Sequence, residues 1–387
     1  MRKTISTERI PILVWGAGPD DGTFAQARNL ANLPFAVGHI ALMADAHVGY
    51  GMPIGGVLAT EGQVIPHAVG LDIGCGMRTW STGIRAEEFL PARETILADI
   101  QRSVPQGFDW QAHSQAERTD LFDEVPDSAA LRAQIPRAER QLGTLGGGNH
   151  FIELQVDADG IVWVMIHSGS RNVGKQMADY YDHMAKAENK RDHSDVPAEW
   201  GLAHLDIASE SGAEYLAVMD WCLRFAAENR RLMAEAVQAA ISRRFPDAVP
   251  GPAFDVHHNY AAVERHLGKE VVVHRKGAVR AVGTVIVPGS MGTASYLGEG
   301  LSNPESFESC SHGAGRAMGR KAATRALSAG RVYGELERAG VKLVTADRRA
   351  VAEEAPEAYK DIEEVMRAQR DLVTPRIRLL PIGVVKG

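Results

Sequence analysis

The stretch "VWVMIHSGSRNVGKQ", Val162 to Gln176, joins an unbroken apolar run to a histidine and then to a glycine-rich loop. An apolar run this short, stopped by glycine, suits a buried strand. His167 stands at the strand's end, and Ser168-Gly169-Ser170-Arg171 follows it. The same grammar recurs along the chain. Strand-like runs such as "VIVPG" (285–289) and "EVVVHRKG" (270–277) alternate with glycine clusters in "GYGMPIGG", "VGLDIGCGM", "LGTLGGGNH", "PGSMG" and "SHGAG". Three longer stretches read as helices: 212–245, 314–328, and 87–104 with Pro91 near its start. Region 105–140 reads as polar and helical in pieces, and 187–200 as a polar surface loop. The strands are spaced irregularly among the helices, which predicts an α+β fold rather than regular βαβ alternation. The glycine loops span the whole chain. One compact domain, 1–387, with mixed β-sheets and flanking helices is expected to gather them around a central cleft.

Composition narrows the function. The chain has 387 residues, 45% hydrophobic and 24% charged, which is enough apolar material for a large core. No run reaches the ~20 apolar residues of a membrane helix, and the N-terminus lacks the pattern of a signal peptide. Three cysteines do not make a disulfide framework, so Cys75, Cys222 and Cys310 read as reduced thiols and the cytoplasm as the expected location. A net charge of -7 argues against a bulk nucleic-acid coat, not against a nucleic-acid substrate held by a local basic patch. There is no internal repeat or low-complexity block.

The chemistry gathers at the glycine loops. In "VGLDIGCGM", Asp72 and Cys75 lie three apart. A carboxylate beside a thiolate is poor design unless a cation separates them. "LGTLGGGNHFIEL" offers a possible anion nest in its three glycines, followed by Asn149, His150 and Glu153. "DVHHNYA" gives His257, His258 and Asn259, and adjacent strand residues face opposite sides, so at most one of the two histidines is a ligand. Asp72, Cys75, His150, His167 and His258 therefore form a candidate O/S/N donor set suited to Zn2+ or Mn2+. Five donors are generous for one catalytic ion, and a thiolate can bridge two, so two ions are expected. A turn aspartate beside a buried cysteine, with satisfied structural histidines, is the blander alternative.

Other loops suit phosphates. "VPGSMGTASY" (287–296) offers backbone N–H groups with Ser290 and Ser295, and Asp45 and His47 in "MADAHVGYGMPIGG" could support a metal shell. "SHGAGR" reads as the opening of a helix whose positive end attracts anions and keeps His312 neutral and nucleophilic. Arg316, Arg320, Lys321, Arg325 and Arg331 beyond it could carry further phosphates, or could form a solvated face.

Eight ordered motifs, from "VGLDIGCGM" through "LGTLGGGNHFIE", "IHSGSRNVG", "HHNYA", "HRKGAVRA", "PGSMGTASY" and "SHGAGR" to the terminal "VVKG", resemble those of RtcB-type RNA ligases. The resemblance runs from about position 43 to Gly387. It implies a GTP- and Mn2+-dependent enzyme joining RNA 3′-phosphate or 2′,3′-cyclic phosphate ends to 5′-hydroxyl ends, in tRNA splicing or RNA repair. It implies RNA as partner, with tRNA halves or broken ends as the candidates. By the match, His312 takes GMP as a phosphoramidate. One Mn2+ would be held by Asp72, Cys75 and His150, the other by Cys75, His167 and His258. Nucleotide contacts would come from Asn149, His150, Phe151, Ile152 and Glu153, from His258 and Asn259, from Pro288, Gly289, Ser290, Met291 and Ser295, from His312, Gly313, Ala314 and Gly315, and from Tyr359 and Lys386. The chain departs from the family's usual text at Ala46, Val48 and Val279, none of them a metal or nucleophile position. The rivals are a dinuclear metallophosphoesterase, which needs neither His312 nor Lys386, and a non-catalytic RNA-repair subunit, which would not retain every ligand.

Overall fold

The computed structural model describes residues 2–345, 347 and 350–387. Two mixed sheets dominate. The first runs Arg2–Ile5, Ile12–Trp15, Ala36–Tyr50, Met52–Thr60, Lys269–Lys276, Asn259–His266 in spatial order. The second runs Phe254–His257, Gly76–Arg85, Ile161–Ser168, Phe151–Val156, Val373–Lys386, Ser295–Leu301, Val282–Val287, with Lys342–Thr345 pairing parallel to Val373–Lys386. Helices flank both sheets, and the fold class is α+β, as the irregular strand spacing predicts.

The second sheet places the site. Its first four strands are antiparallel neighbours. The start of Gly76–Arg85, the end of Ile161–Ser168, the start of Phe151–Val156 and the end of Phe254–His257 therefore meet at one edge. The register pairs Met77 and Phe151 with His167, and Gly76 with His257. Cys75, His150 and His258, far apart in sequence, each sit one residue beyond such a strand end, and His167 sits one residue inside its own. Behind them lies an apolar layer that includes Ile152, Leu154, Val164 and Ile166.

Helix Glu210–Ser242 packs over this layer and matches the long amphipathic reading; Ser209 caps it by accepting from the Gly212 N–H. Met233, Val237, Ala240 and Ile241 join that layer, while Tyr215, Trp221 and Phe225 are fully buried in a separate cluster with Val173, Met177 and Tyr181. The stretch 314–328 differs from expectation. Only Arg320–Ala326 is helical, and a second helix, Ala329–Arg338, starts after Ser328. Gly315 at φ +73° holds the chain in a left-handed turn that no helix continues through. Pro91 breaks 87–104 into a short helix, a 3-10 turn and helix Arg93–Ser103. The first part of 187–200 is the end of helix Arg171–Arg191, because its alanines, lysines and glutamate extend the helix to a basic last turn. Region 105–140 is helical in pieces. Among the described residues, no helix is long and apolar enough to cross a membrane.

Candidate active site

The donor atoms of Asp72, Cys75 and His150 lie within 4.8 Å of one another, and so do those of Cys75, His167 and His258. Cys75 belongs to both groups. Its Sγ is 3.5 Å from His150 Nε2 and 3.2 Å from His167 Nε2, and Asp72 Oδ2 is 3.1 Å from His150 Nε2. The other ring nitrogens are oriented from behind. His150 Nδ1 lies 2.9 Å from the Leu145 carbonyl and His167 Nδ1 3.1 Å from the Asn149 carbonyl. A carbonyl only accepts, so both Nδ1 atoms donate, and the neutral His167 keeps its Nε2 lone pair toward the thiol.

Electrostatics sharpen the case for a cation. Burial pushes the Cys75 thiol well up, and the Asp72 charge adds to it. Burial, then neighbouring imidazoles, hold His167 and His258 well below the usual range, so their lone pairs are free. Burial works to raise Asp72, but the His150 hydrogen bond and charge, with Arg171, hold it down at about 2. His258 Nδ1 is buried and has no hydrogen-bond partner among the described residues. A neutral imidazole with an orphaned nitrogen, a buried thiol and an ionised carboxylate fit divalent metal ions that replace the thiol proton. His257 turns away and packs edge-on against Tyr260, at 4.4 Å between ring centroids.

Beside the cluster lies a cavity lined by Asn149, Phe151 and Glu153, by Pro288–Met291 and Ser295, by His312–Arg316, and by Arg320, Glu354, Tyr359 and Lys386. His312 sits at the junction, its ring centroid 4.8 Å from that of His258. Its Nδ1 is 2.6 Å from Asp45 Oδ2, and the same oxygen accepts the His312 backbone N–H at 3.1 Å. Burial raises the Asp45 pKa, yet His312 and Lys360 hold the net shift downward. The carboxylate is thus an acceptor and His312 Nδ1 carries a proton toward it, which leaves Nε2 as the ring nitrogen not held by Asp45.

The structure corrects one expectation and shows where the other residues lie. His312 is not at a helix N-terminus: the helix starts at Arg320, and Asp45 orients the imidazole instead. Asp45 and His47 stay outside both donor groups. Ile152 points into the core, because strand alternation sends it away from the cavity that Phe151 and Glu153 line. Asn259 does not line the cavity; its Oδ1 accepts from Gly277 N–H and its Nδ2 donates to the Asp72 carbonyl, bracing the ligand loop. His150 and His258 face the donor groups rather than the cavity. The Gly289 and Ser290 N–H groups, expected as a phosphate cradle, are bonded to Ser295 and Thr293 hydroxyls. Of the basic run, Arg316 and Arg320 reach the cavity, whereas Lys321, Arg325 and Arg331 do not line it, and Arg331 pairs with Glu335 and Glu357.

The roles of Glu354, Arg171 and Arg230 carry no local sequence signal. Glu354 accepts from Tyr359 Oη at 2.5 Å and pairs with Lys386 and Arg316 at 3.1 and 3.2 Å. Arg171, in left-handed backbone at φ +57°, reaches Thr144 Oγ1 and lies 3.4 Å from His150 Nδ1. Arg230 is fully buried and bidentate on Asp255. Only contacts between distant segments reveal these three.

A profile of the family described as tRNA-splicing ligase RtcB matches residues 26–131 and 111–387. The RNA-splicing ligase RtcB of Escherichia coli K12 is 37% identical over 411 residues, covering 99% of both chains. The tRNA-splicing ligase RtcB of Thermococcus kodakarensis is 35% identical over 95% of this chain and 91% of its own. The RNA-splicing ligase RtcB of Mycobacterium bovis is 35% identical over 94% of this chain and all of its own. With a family profile spanning nearly the whole sequence and relatives this similar end to end, the chain belongs to the RtcB family.

Proposed function

We propose that the protein is a GTP- and Mn2+-dependent RNA ligase that joins a 3′-phosphate or 2′,3′-cyclic phosphate end to a 5′-hydroxyl through a His312–GMP intermediate. The observation that carries this reading is the position of His312. It stands between the paired donor groups and the cavity, with Nδ1 committed to Asp45 and Nε2 left as nucleophile. Asp72, Cys75 and His150 would hold one ion and Cys75, His167 and His258 the other. Bound there, the ions would supply positive charge against phosphate oxygens.

The chain's own residues do the rest. His312 Nε2 forms an N–P bond to the α-phosphorus of GTP, and pyrophosphate leaves. Asp45 stabilises the imidazolium character that develops as the bond forms. Arg316, Arg320 and Lys386 offer charge-assisted donors along the cavity. Glu153 and Tyr359 would face the base. A cyclic phosphate is first opened by water. The RNA 3′-phosphate oxygen then attacks the GMP phosphorus, breaking the N–P bond and restoring His312. The 5′-hydroxyl finally attacks the activated 3′-phosphorus and GMP leaves. Positioning and charge neutralisation carry such steps, which suits a site with metal donors and cations rather than paired carboxylates.

The test is self-labelling with GTP carrying a labelled α-phosphate and Mn2+, with His312→Ala beside the wild type. An acid-labile, alkali-stable label on the wild type alone is expected. No label with Mn2+, Zn2+ or Mg2+, combined with phosphate-ester hydrolysis, would replace the ligase reading with a metallophosphoesterase. The physiological RNA, whether split tRNA or damaged RNA, is to be found by sequencing ends joined in cells that express or lack the protein.

A further inference from the structure

Phe108 is fully exposed, at 101% of its free-residue surface, and Trp110 two residues on is 38% exposed. Phenylalanine ordinarily gains by burial, and leaving a whole ring in water forgoes that gain. This ring is not on a loose tip. Gly107 N–H donates to the Gly146 carbonyl at 3.0 Å, and Leu145 N–H to the Pro105 carbonyl at 2.9 Å. Asp109 N–H closes the turn on the Gln106 carbonyl, and Gln111 N–H bonds to the Arg140 carbonyl. The turn bearing Phe108 is thus stapled along 140–146, the segment that runs directly into Gly147-Gly148-Asn149-His150 at the cavity.

Two guanidinium groups stand on the neighbouring segments. The Arg140 guanidinium lies 5.7 Å from the Trp110 ring centroid. Arg320, exposed and lining the cavity, stands within about 3.1 Å of where a Cβ on Gly148 would be. Asp109 is the carboxylate between the two aromatics, and it is exposed. An exposed aromatic face on a hydrogen-bonded turn, two residues from a Trp110–Arg140 pair and tied at Gly107 to the loop that borders the cavity, matches how proteins grip unpaired strands: bases stack on the rings and cations follow the phosphates.

We propose that Phe108, with Trp110 and Arg140, is a stacking platform for an unpaired nucleobase near an RNA end entering the cleft, which makes Phe108 an RNA-positioning residue rather than a catalytic one. The inference rests on the ligase reading above. The base could belong to the strand that ends in the 3′-phosphate or to the one that begins with the 5′-hydroxyl. Both present the same π-face, and the experiment separates them.

Phe108→Ala, Phe108→Leu and Phe108→Trp are to be compared with wild type in three readouts. Self-labelling by GTP, which needs no RNA, is expected to stay at the wild-type level in all three. The KM for RNA in ligation is expected to rise about five- to a hundredfold for the alanine and leucine variants and to recover for the tryptophan variant, the span for one stacked base. An abasic residue at the stacked position should erase the difference between wild type and Phe108→Ala. Fluorescence of 2-aminopurine, placed at the end of one strand and then the other, should be quenched on binding wild type but not Phe108→Ala, and the responding strand identifies the base. An unchanged KM and unchanged quenching in Phe108→Ala overturn the platform and leave the ring for a protein contact. Loss of self-labelling in Phe108→Ala also overturns it, because the turn would then only shape the Gly146 loop. If the wild type itself does not self-label, the ligase reading fails, while the fluorescence arm still decides whether Phe108 stacks a base.

Discussion

Asp45 spends a single carboxylate oxygen twice on His312, once on its backbone N–H and once on Nδ1. That double grip fixes both the tautomer and the ring plane. Asp45→Asn keeps the shape but lets the amide nitrogen face the imidazole and removes the charge that supports a developing imidazolium. Self-labelling should fall on the order of a hundredfold to ten-thousandfold, by analogy with the same change in a hydrolase triad, with metal uptake intact. Labelling rates beside metal stoichiometry check this; a variant labelling at the wild-type rate removes Asp45 from the mechanism. Glu153 gives a pH signature. Burial raises its pKa to about 8, against the lowering effects of Gln155 and Lys386. It is largely protonated at pH 7 without nucleotide. Guanine N–H donors favour the carboxylate, so binding should lower this pKa and release a proton. GTP affinity should therefore rise with pH up to about 8 and flatten above. Calorimetry in buffers of different ionisation heat, with Glu153→Gln as the flat control, measures it; pH-independent affinity in the wild type would take Glu153 off the base. Asp72, Cys75 and His150 were readable from sequence because glycines frame them locally. The Asp45–His312 partnership was not, because 267 residues separate the pair and only the fold supplies their contact.

The glycine loops act as elements, and their spacing to the donors is steric. A Cβ on Gly169 would sit 2.3 Å from both Asp72 carboxylate oxygens. Asp72 Oδ1 also accepts the Ser170 N–H at 3.0 Å, so the loop after His167 both crowds and aims that carboxylate. Gly169→Ala should displace Asp72, weaken metal uptake at least tenfold, and cost roughly 1–3 kcal/mol of stability from overpacking. Metal titration and thermal melting read the two effects separately, and wild-type metal affinity in this variant would show that Asp72 is not a donor. The sequence reading of 314–328 as one helix erred on the same point. Its alanines and arginines favour helix, but Gly313, Gly315 and Gly319 let tertiary contacts decide, and the segment turns beneath Asp45 before a helix begins at Arg320. The long helix at 210–242 was readable because no such competition interrupts its apolar periodicity.

At the scale of the molecule, the donor groups exist because four antiparallel strands end at one edge. The motifs could be ordered from sequence, but strand order, and therefore which ends meet, depends on pairings between segments up to about 180 residues apart. One buried cation locks that arrangement. Arg230, on the long helix, donates to the Gly74 and Ser168 carbonyls at 2.9 and 3.0 Å and grips Asp255 at 2.6 and 3.0 Å. Those contacts tie the Asp72–Cys75 loop, the His167 strand and the His258 strand to one side chain. Arg230→Met takes the guanidinium from two buried carbonyls and leaves Asp255 only the 3.5 Å contact to Arg78, while filling much of the same space. Breaking such a pair should cost roughly 3 kcal/mol or more, lower Tm by several degrees, and loosen all three ligand-bearing segments together. Mn2+ should raise the Tm of the wild type, and that rise should shrink in the variant, because ions stabilise a fold in proportion to how well their site is formed. Melting curves with and without Mn2+ for both proteins decide it. A variant that melts lower yet keeps the full Mn2+ response would make Arg230 a core brace unrelated to the site. A variant that loses the response as well would establish that the helix, through this one guanidinium, holds the strand ends in register for the metals.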